Sequence, residues 1–127
     1  MNSQNPISDE VRRFVLTSVP SVPYLEALLL LRSDAAREWD AATIARRLYV
    51  PEAKAAELLR ALQDSGIAAG PGAVGGYRYD PSDPNLRAMI DTVEHLYSTH
   101  LVEVTALIHS RDKRAMQFAD AFRWKRD

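Results

Sequence analysis

The chain has 127 residues, 46% of them hydrophobic and 26% charged, the make-up of one ordinary globular domain. Sixteen Lys and Arg against seventeen Asp and Glu leave a net charge of −1. That argues against a polycation coating DNA or membrane indiscriminately, while leaving room for a local basic patch. Cysteine is absent, which excludes disulfide scaffolds, thiolate zinc sites, iron–sulfur ligation and cysteine nucleophiles.

Residues 1–6 lack the basic start and apolar stretch of a secretory signal, so a cytoplasmic location is expected. Residues 8–17 predict a short helix. Ser8 can cap it, Asp9 and Glu10 suit its positive end, and Val11, Phe14 and Val15 form one apolar stripe. Prolines 20 and 23 break the pattern, and Ser21 can cap a second helix with Pro23 in its first turn. Tyr24, Leu25, Leu28, Leu29 and Leu31 leave that helix little polar face, which predicts a place in the core. The longest apolar run, 27–31, falls far short of the ~20 residues of a membrane span, so no membrane partner is expected.

Asp40 is the next cap, for a helix over 41–48 with Ile44, Ala45 and Leu48 on its apolar side. Tyr49 and Val50 make a turn, and Pro51 opens a helix that runs to about Ser65 and stops at Gly66. Ala55, Leu58, Leu59 and Leu62 should face inward on it, and Glu52, Lys54, Glu57 and Arg60 outward. Residues 67–69 and 77–79 are candidate strands, flanking a stretch (70–76) that holds four of the five glycines. A hairpin turn fits that density, with a plain flexible loop as the alternative.

Residues 80–84 form a hinge. Beyond it Leu86, Ile90, Val93, Tyr97, Leu101, Val104 and Ile108 recur at helical steps, predicting a long helix, bent or unbent around 98–99. One small domain can hardly bury such a stripe alone, so these residues are assigned to dimerisation and the chain is expected to be a homodimer. Residues 111–127 hold six basic and three acidic residues with Met116, Phe118, Phe122 and Trp124, and predict a short tail helix. Such an end suits a second nucleic-acid contact, a clamp on an acidic partner, or packing against the body, whose residues 1–110 carry a net −4.

Three segments together resemble the winged helix-turn-helix superfamily, including bacterial regulators of the MarR kind. They are Ala42-Thr43-Ile44-Ala45-Arg46-Arg47-Leu48, the stretch from Val50-Pro51-Glu52 through Leu58-Leu59-Arg60-Ala61-Leu62, and Ser65-Gly66-Ile67. The resemblance covers residues 22–81, about half the chain, and Phe118-Ala119-Asp120-Ala121-Phe122 is similar to the ending of small uncharacterised bacterial proteins. It implies a mainly α fold: a winged helix-turn-helix with a two-stranded wing, a long C-terminal helix and a short tail helix. In domain terms, residues 1–81 are the winged-helix domain with its N-terminal helix, 82–110 the dimerisation helix and 111–127 the basic aromatic tail.

By that resemblance the chain is a transcriptional regulator. The second helix of the motif enters the major groove and the wing touches phosphates. Glu52, Ala53, Lys54, Ala56 and Glu57 then face the bases, with Arg46, Arg47, Arg60 and Arg78 as further DNA contacts. The pattern departs from the family here, which favours Ser, Thr, Gln or Arg where this chain has two glutamates and two alanines. Residues 40–65 carry four positive and four negative charges, and a neutral surface is a weak binder of phosphates. The alternative is therefore a winged helix turned to protein interaction, an adaptor that does not bind DNA. Carboxylates interrupting the positive face around Arg46, Lys54 and Arg78 would favour that alternative.

Nothing points to an enzyme. His95, His100 and His109 lie five and nine residues apart, steps that turn roughly 140° and 180° on a helix and do not converge. Asp91 and His95 can share a face, which suits an exposed ion pair better than a metal site with only two ligands. No Ser-His-Asp order, Walker sequence, dinucleotide fingerprint or His-Glu-x-x-His occurs, so neither catalytic residues nor a metal or cofactor is expected.

Overall fold

The computed structural model describes residues 6–73 and 75–110. In chain order these form α1 (Asp9–Ser18), α2 (Val22–Ser33), α3 (Ala41–Leu48), α4 (Glu52–Asp64), β1 (Ala68–Ala69), β2 (Arg78–Tyr79) and α5 (Pro84–Thr99). A sixth helix, α6, follows over Leu101–Ser110. The mainly helical class is as expected, with one small antiparallel sheet. The expected tail helix at 111–127 lies outside the described residues. Pro23–Asp91 makes one compact unit, and the described residues on either side of it make another.

Within Pro23–Asp91, α2 buries Tyr24, Leu25, Ala27, Leu28 and Leu31, a broad apolar face, and leaves Leu29 and Leu30 half-buried. The Tyr24 hydroxyl donates to Ser65 Oγ at 3.0 Å, tying α2 to the end of α4. Burial raises the Tyr24 phenol pKa, and this hydrogen bond offsets part of the rise. Helix α3 starts where Asp40 Oδ1 accepts the Thr43 N–H at 2.8 Å, satisfying a donor that has no partner inside the helix. It packs against α4, and Ile44 and the inward row Ala55, Leu58, Leu59 and Leu62 are all buried. That row repeats at three- and four-residue steps, and each large member contributes about 1.5–3 kcal/mol.

Helix α4 ends on Gly66, whose φ of 76° is open to glycine at little cost, and Ile67 N–H reaches back to Leu62 O at 3.0 Å. The chain passes directly into β1. Ala68 pairs with Tyr79 and Ala69 with Arg78, and Asp80 N–H extends the ladder to Ile67 O. The sheet also receives a contribution absent from the sequence reading: Trp39 and Tyr77 exchange backbone hydrogen bonds of 2.7 and 2.8 Å. Trp39 is thereby buried just ahead of the Asp40 cap, its ring flanked by the Arg37 guanidinium at 4.2 Å and that of Arg47 at 5.7 Å. On the far side of β2, Arg87 of α5 lies over the Tyr79 ring at 5.4 Å and donates to Pro81 O. Burial, followed by the Asp91 carboxylate, pushes the Tyr79 phenol pKa up.

In the other unit, Ser8 Oγ accepts the Val11 N–H and caps α1, which buries Val11 and Val15 and leaves Phe14 half-buried. Val93 and Leu96 of α5 and Val104, Leu107 and Ile108 of α6 are buried as well. The long periodic stretch is thus two helices, divided at His100. Just before the break the hydroxyls of Ser98 and Thr99 both donate to His95 O, at 2.9 and 2.8 Å. Such side-chain bonds compete with the backbone ladder and weaken it locally.

The cap at Asp40 yields a pH-dependent expectation. Its hydrogen bonds with Thr43 hold the carboxyl below the usual aspartate range. A carboxyl with a lowered folded-state pKa stabilises fully above its unfolded value of ~3.9 and loses that contribution as pH falls through the folded value. Asp40→Ala should therefore lower the thermal midpoint at pH 7, with a smaller deficit at pH 3. An equal deficit at both pH values would show that the charge plays no part.

Candidate functional site

The inward row of α4 fixes what its other side can do. Glu52, Ala53, Lys54, Ala56, Glu57 and Arg60 are all exposed on it, as expected. Arg46 and Arg47 are exposed in the last turn of α3, and Arg78 is exposed on β2. All nine lie in the Pro23–Asp91 unit.

The charges in this set do not form an uninterrupted positive face. Lys54 Nζ stands 3.9 Å from Glu57 Oε1, both side chains largely in solvent, a pair that stabilises by tenths of a kcal/mol at most. Glu52 occupies the first turn, where its charge complements the positive helix end. Pro51 ahead of it supplies no side-chain cap, so the first N–H groups of α4 lack that partner. Arg46 Nη2 donates to Thr43 Oγ1 at 3.3 Å, and Arg47 leans over the Trp39 ring. These contacts orient two cations along α3 without neutralising either.

The glycine-rich segment is a folded turn: Gly72 N–H donates to Gly76 O, and Gly75 N–H to Gly72 O. Gly76 is needed for a close approach, because a β carbon there would sit 2.8 Å from Glu38 Cβ. The residues between β1 and β2 are thereby brought against the segment that leads into α3.

Two features near this surface are not given by the sequence: the place of Trp39 in the sheet and the conformation of Tyr49 within its expected turn. Trp39 contributes a one-residue bridge, too short to give a strand signal. Tyr49 joins α3 to α4 with φ 58° and ψ 45°, and its side chain is 94% exposed. Nothing in the amino-acid pattern flags that conformation, because the turn more often carries glycine or asparagine.

The dimerisation stripe is only partly available. Ile90, Val93, Val104 and Ile108 are buried within the single chain, which removes the reason for giving them to a partner. Leu86 and Tyr97 are half-buried, and Leu101 is exposed together with Val102 at the start of α6. Asp91, considered with His95, has its Oδ1 3.0 Å from Arg32 Nη2 instead. Among the described residues no three His, Asp or Glu side chains converge as a metal site would require, and no single helix is long and apolar enough to cross a membrane. Comparisons with protein-family models, with curated proteins and with solved structures gave no match to this chain.

Proposed function

We propose that the chain is a winged-helix DNA-binding protein acting as a transcriptional regulator. It docks the exposed face of α4 in the major groove, with Arg46, Arg47 and Arg78 on flanking phosphates. One observation carries this reading. A tight turn joins two packed helices, an antiparallel hairpin follows at once, and the face of α4 opposite its packed row is open to solvent. That order of elements presents a helix and a hairpin tip to a duplex. The resemblance of residues 42–67 to regulators of the MarR kind points the same way.

A second reading, docking on a protein partner, is favoured by the Lys54–Glu57 pair and the glutamates on the same helix. The two readings part on one double substitution. With Glu52→Gln and Glu57→Gln together, two carboxylates leave a surface that would lie within a Debye length, roughly 10 Å, of phosphates. Groove docking then predicts several-fold tighter retention of genomic DNA fragments at low salt, with the gain shrinking at high salt. Unchanged retention, or no retention by either protein, would overturn groove docking. Stability should barely move, since exposed helix charges contribute tenths of a kcal/mol.

A further inference from the structure

We propose that Tyr49 is an additional DNA contact of this surface, its phenol donating a hydrogen bond to a backbone phosphate; the inference rests on the DNA-binding reading above. Tyr49 holds a left-handed conformation, φ 58° and ψ 45°, in which a β carbon crowds the following carbonyl. A bulky residue there is an outlier. The turn draws only on its backbone: Tyr49 N–H bonds to Ala45 O, and Val50 N–H reaches the same carbonyl at 3.2 Å. Glycine would make both bonds without the crowding.

The side chain does nothing for packing, since 94% of the residue is exposed. A strained backbone carrying a large side chain that buries nothing is the pattern of a position kept for contact with something else. Its surroundings indicate what that something is. Arg46 and Arg47 lie three and two residues before it and Glu52 three after, all exposed, so cations outnumber carboxylates in the adjoining sequence. An uncharged donor within three residues of two exposed arginines suits phosphate oxygens, a common partner of tyrosine hydroxyls on DNA.

The test uses the full chain, a mixed-sequence DNA duplex and three proteins: wild type, Tyr49→Gly and Tyr49→Phe. Tyr49→Gly should raise the thermal midpoint by about 2–5 °C as the crowding is relieved. It should also weaken DNA binding by about three- to tenfold, the worth of one hydrogen bond. Tyr49→Phe should weaken binding equally and leave the midpoint where it was. Neither change should alter the salt dependence, because the phenol carries no charge.

Binding by both variants at the wild-type level would overturn the proposal and leave the DNA reading standing. Loss with Tyr49→Gly but not with Tyr49→Phe would overturn the hydrogen bond in favour of ring contact. A wild-type protein that binds no duplex at any salt would overturn the DNA reading itself, and this proposal with it.

Discussion

Trp39→Ala is expected to cost about 3–5 kcal/mol, a large part of the 5–15 kcal/mol that keeps a domain of this size folded. The indole is only 2% exposed, and alanine would leave a hole that its neighbours fill incompletely. The ring also loses two guanidinium contacts, those of Arg37 at 4.2 Å and Arg47 at 5.7 Å. The backbone bridge to Tyr77 involves no indole atom and can persist after the substitution. Urea unfolding of the two proteins, followed by circular dichroism, measures the difference. Trp39→Phe should recover more than half of it, since most of the buried ring area returns. A loss below about 1 kcal/mol for Trp39→Ala would mean that the bridge, not the ring, seats the hairpin.

The second large effect concerns DNA. Replacing Arg46, Arg47 and Arg78 together by Gln should weaken binding by at least about a thousandfold at low salt, because each charge-assisted bond to phosphate is worth about 1.5–3 kcal/mol. The slope of log affinity against log salt should fall by about 2.7, near 0.9 for each phosphate no longer neutralised. All sequences should suffer alike, since phosphate contacts position the protein without reading bases. Arg47 has a structural contact as well, with Trp39, so the thermal midpoint of the triple variant has to be measured beside its affinity. A change in preferred sequence, at an unchanged slope, would mean that these arginines read bases.

Local periodicity and capping made much of the helical framework legible from the residues alone. Asp40 is an N-cap because its carboxylate reaches an amide three residues on, a relation contained within four residues. The row Ala55, Leu58, Leu59 and Leu62 announces itself by spacing, and all four are buried. What the pattern does not encode is longer-range or finer. The Arg32–Asp91 pair and the Trp39–Tyr77 bridge join positions far apart in the chain, and neither residue type demands its partner. The break at His100 falls beside the bend left open at 98–99, but the apolar repeat runs straight through it, so spacing alone does not decide between one helix and two. The same spacing suggested a partner for Ile90, Val93, Val104 and Ile108, whereas folding supplies their cover. For the site, the exposed positions on α4 follow from its inward row, while the left-handed turn at Tyr49 has no signature in its side chain.

The pairing of Trp39 with Tyr77 has a kinetic consequence. It fastens the residue just ahead of the α3 cap to the residue just ahead of β2, so the whole stretch between them is a closed loop. Drawing those ends together costs entropy, repaid only once α3, α4 and β1 are in place to hold them near each other. Opening is correspondingly shared. A fluctuation that breaks the Trp39–Tyr77 pair frees the strand edge and slackens the lead-in to the Asp40 cap together. The hairpin and the first turn of α3 are therefore expected to exchange their amide hydrogens together, as one cooperative segment.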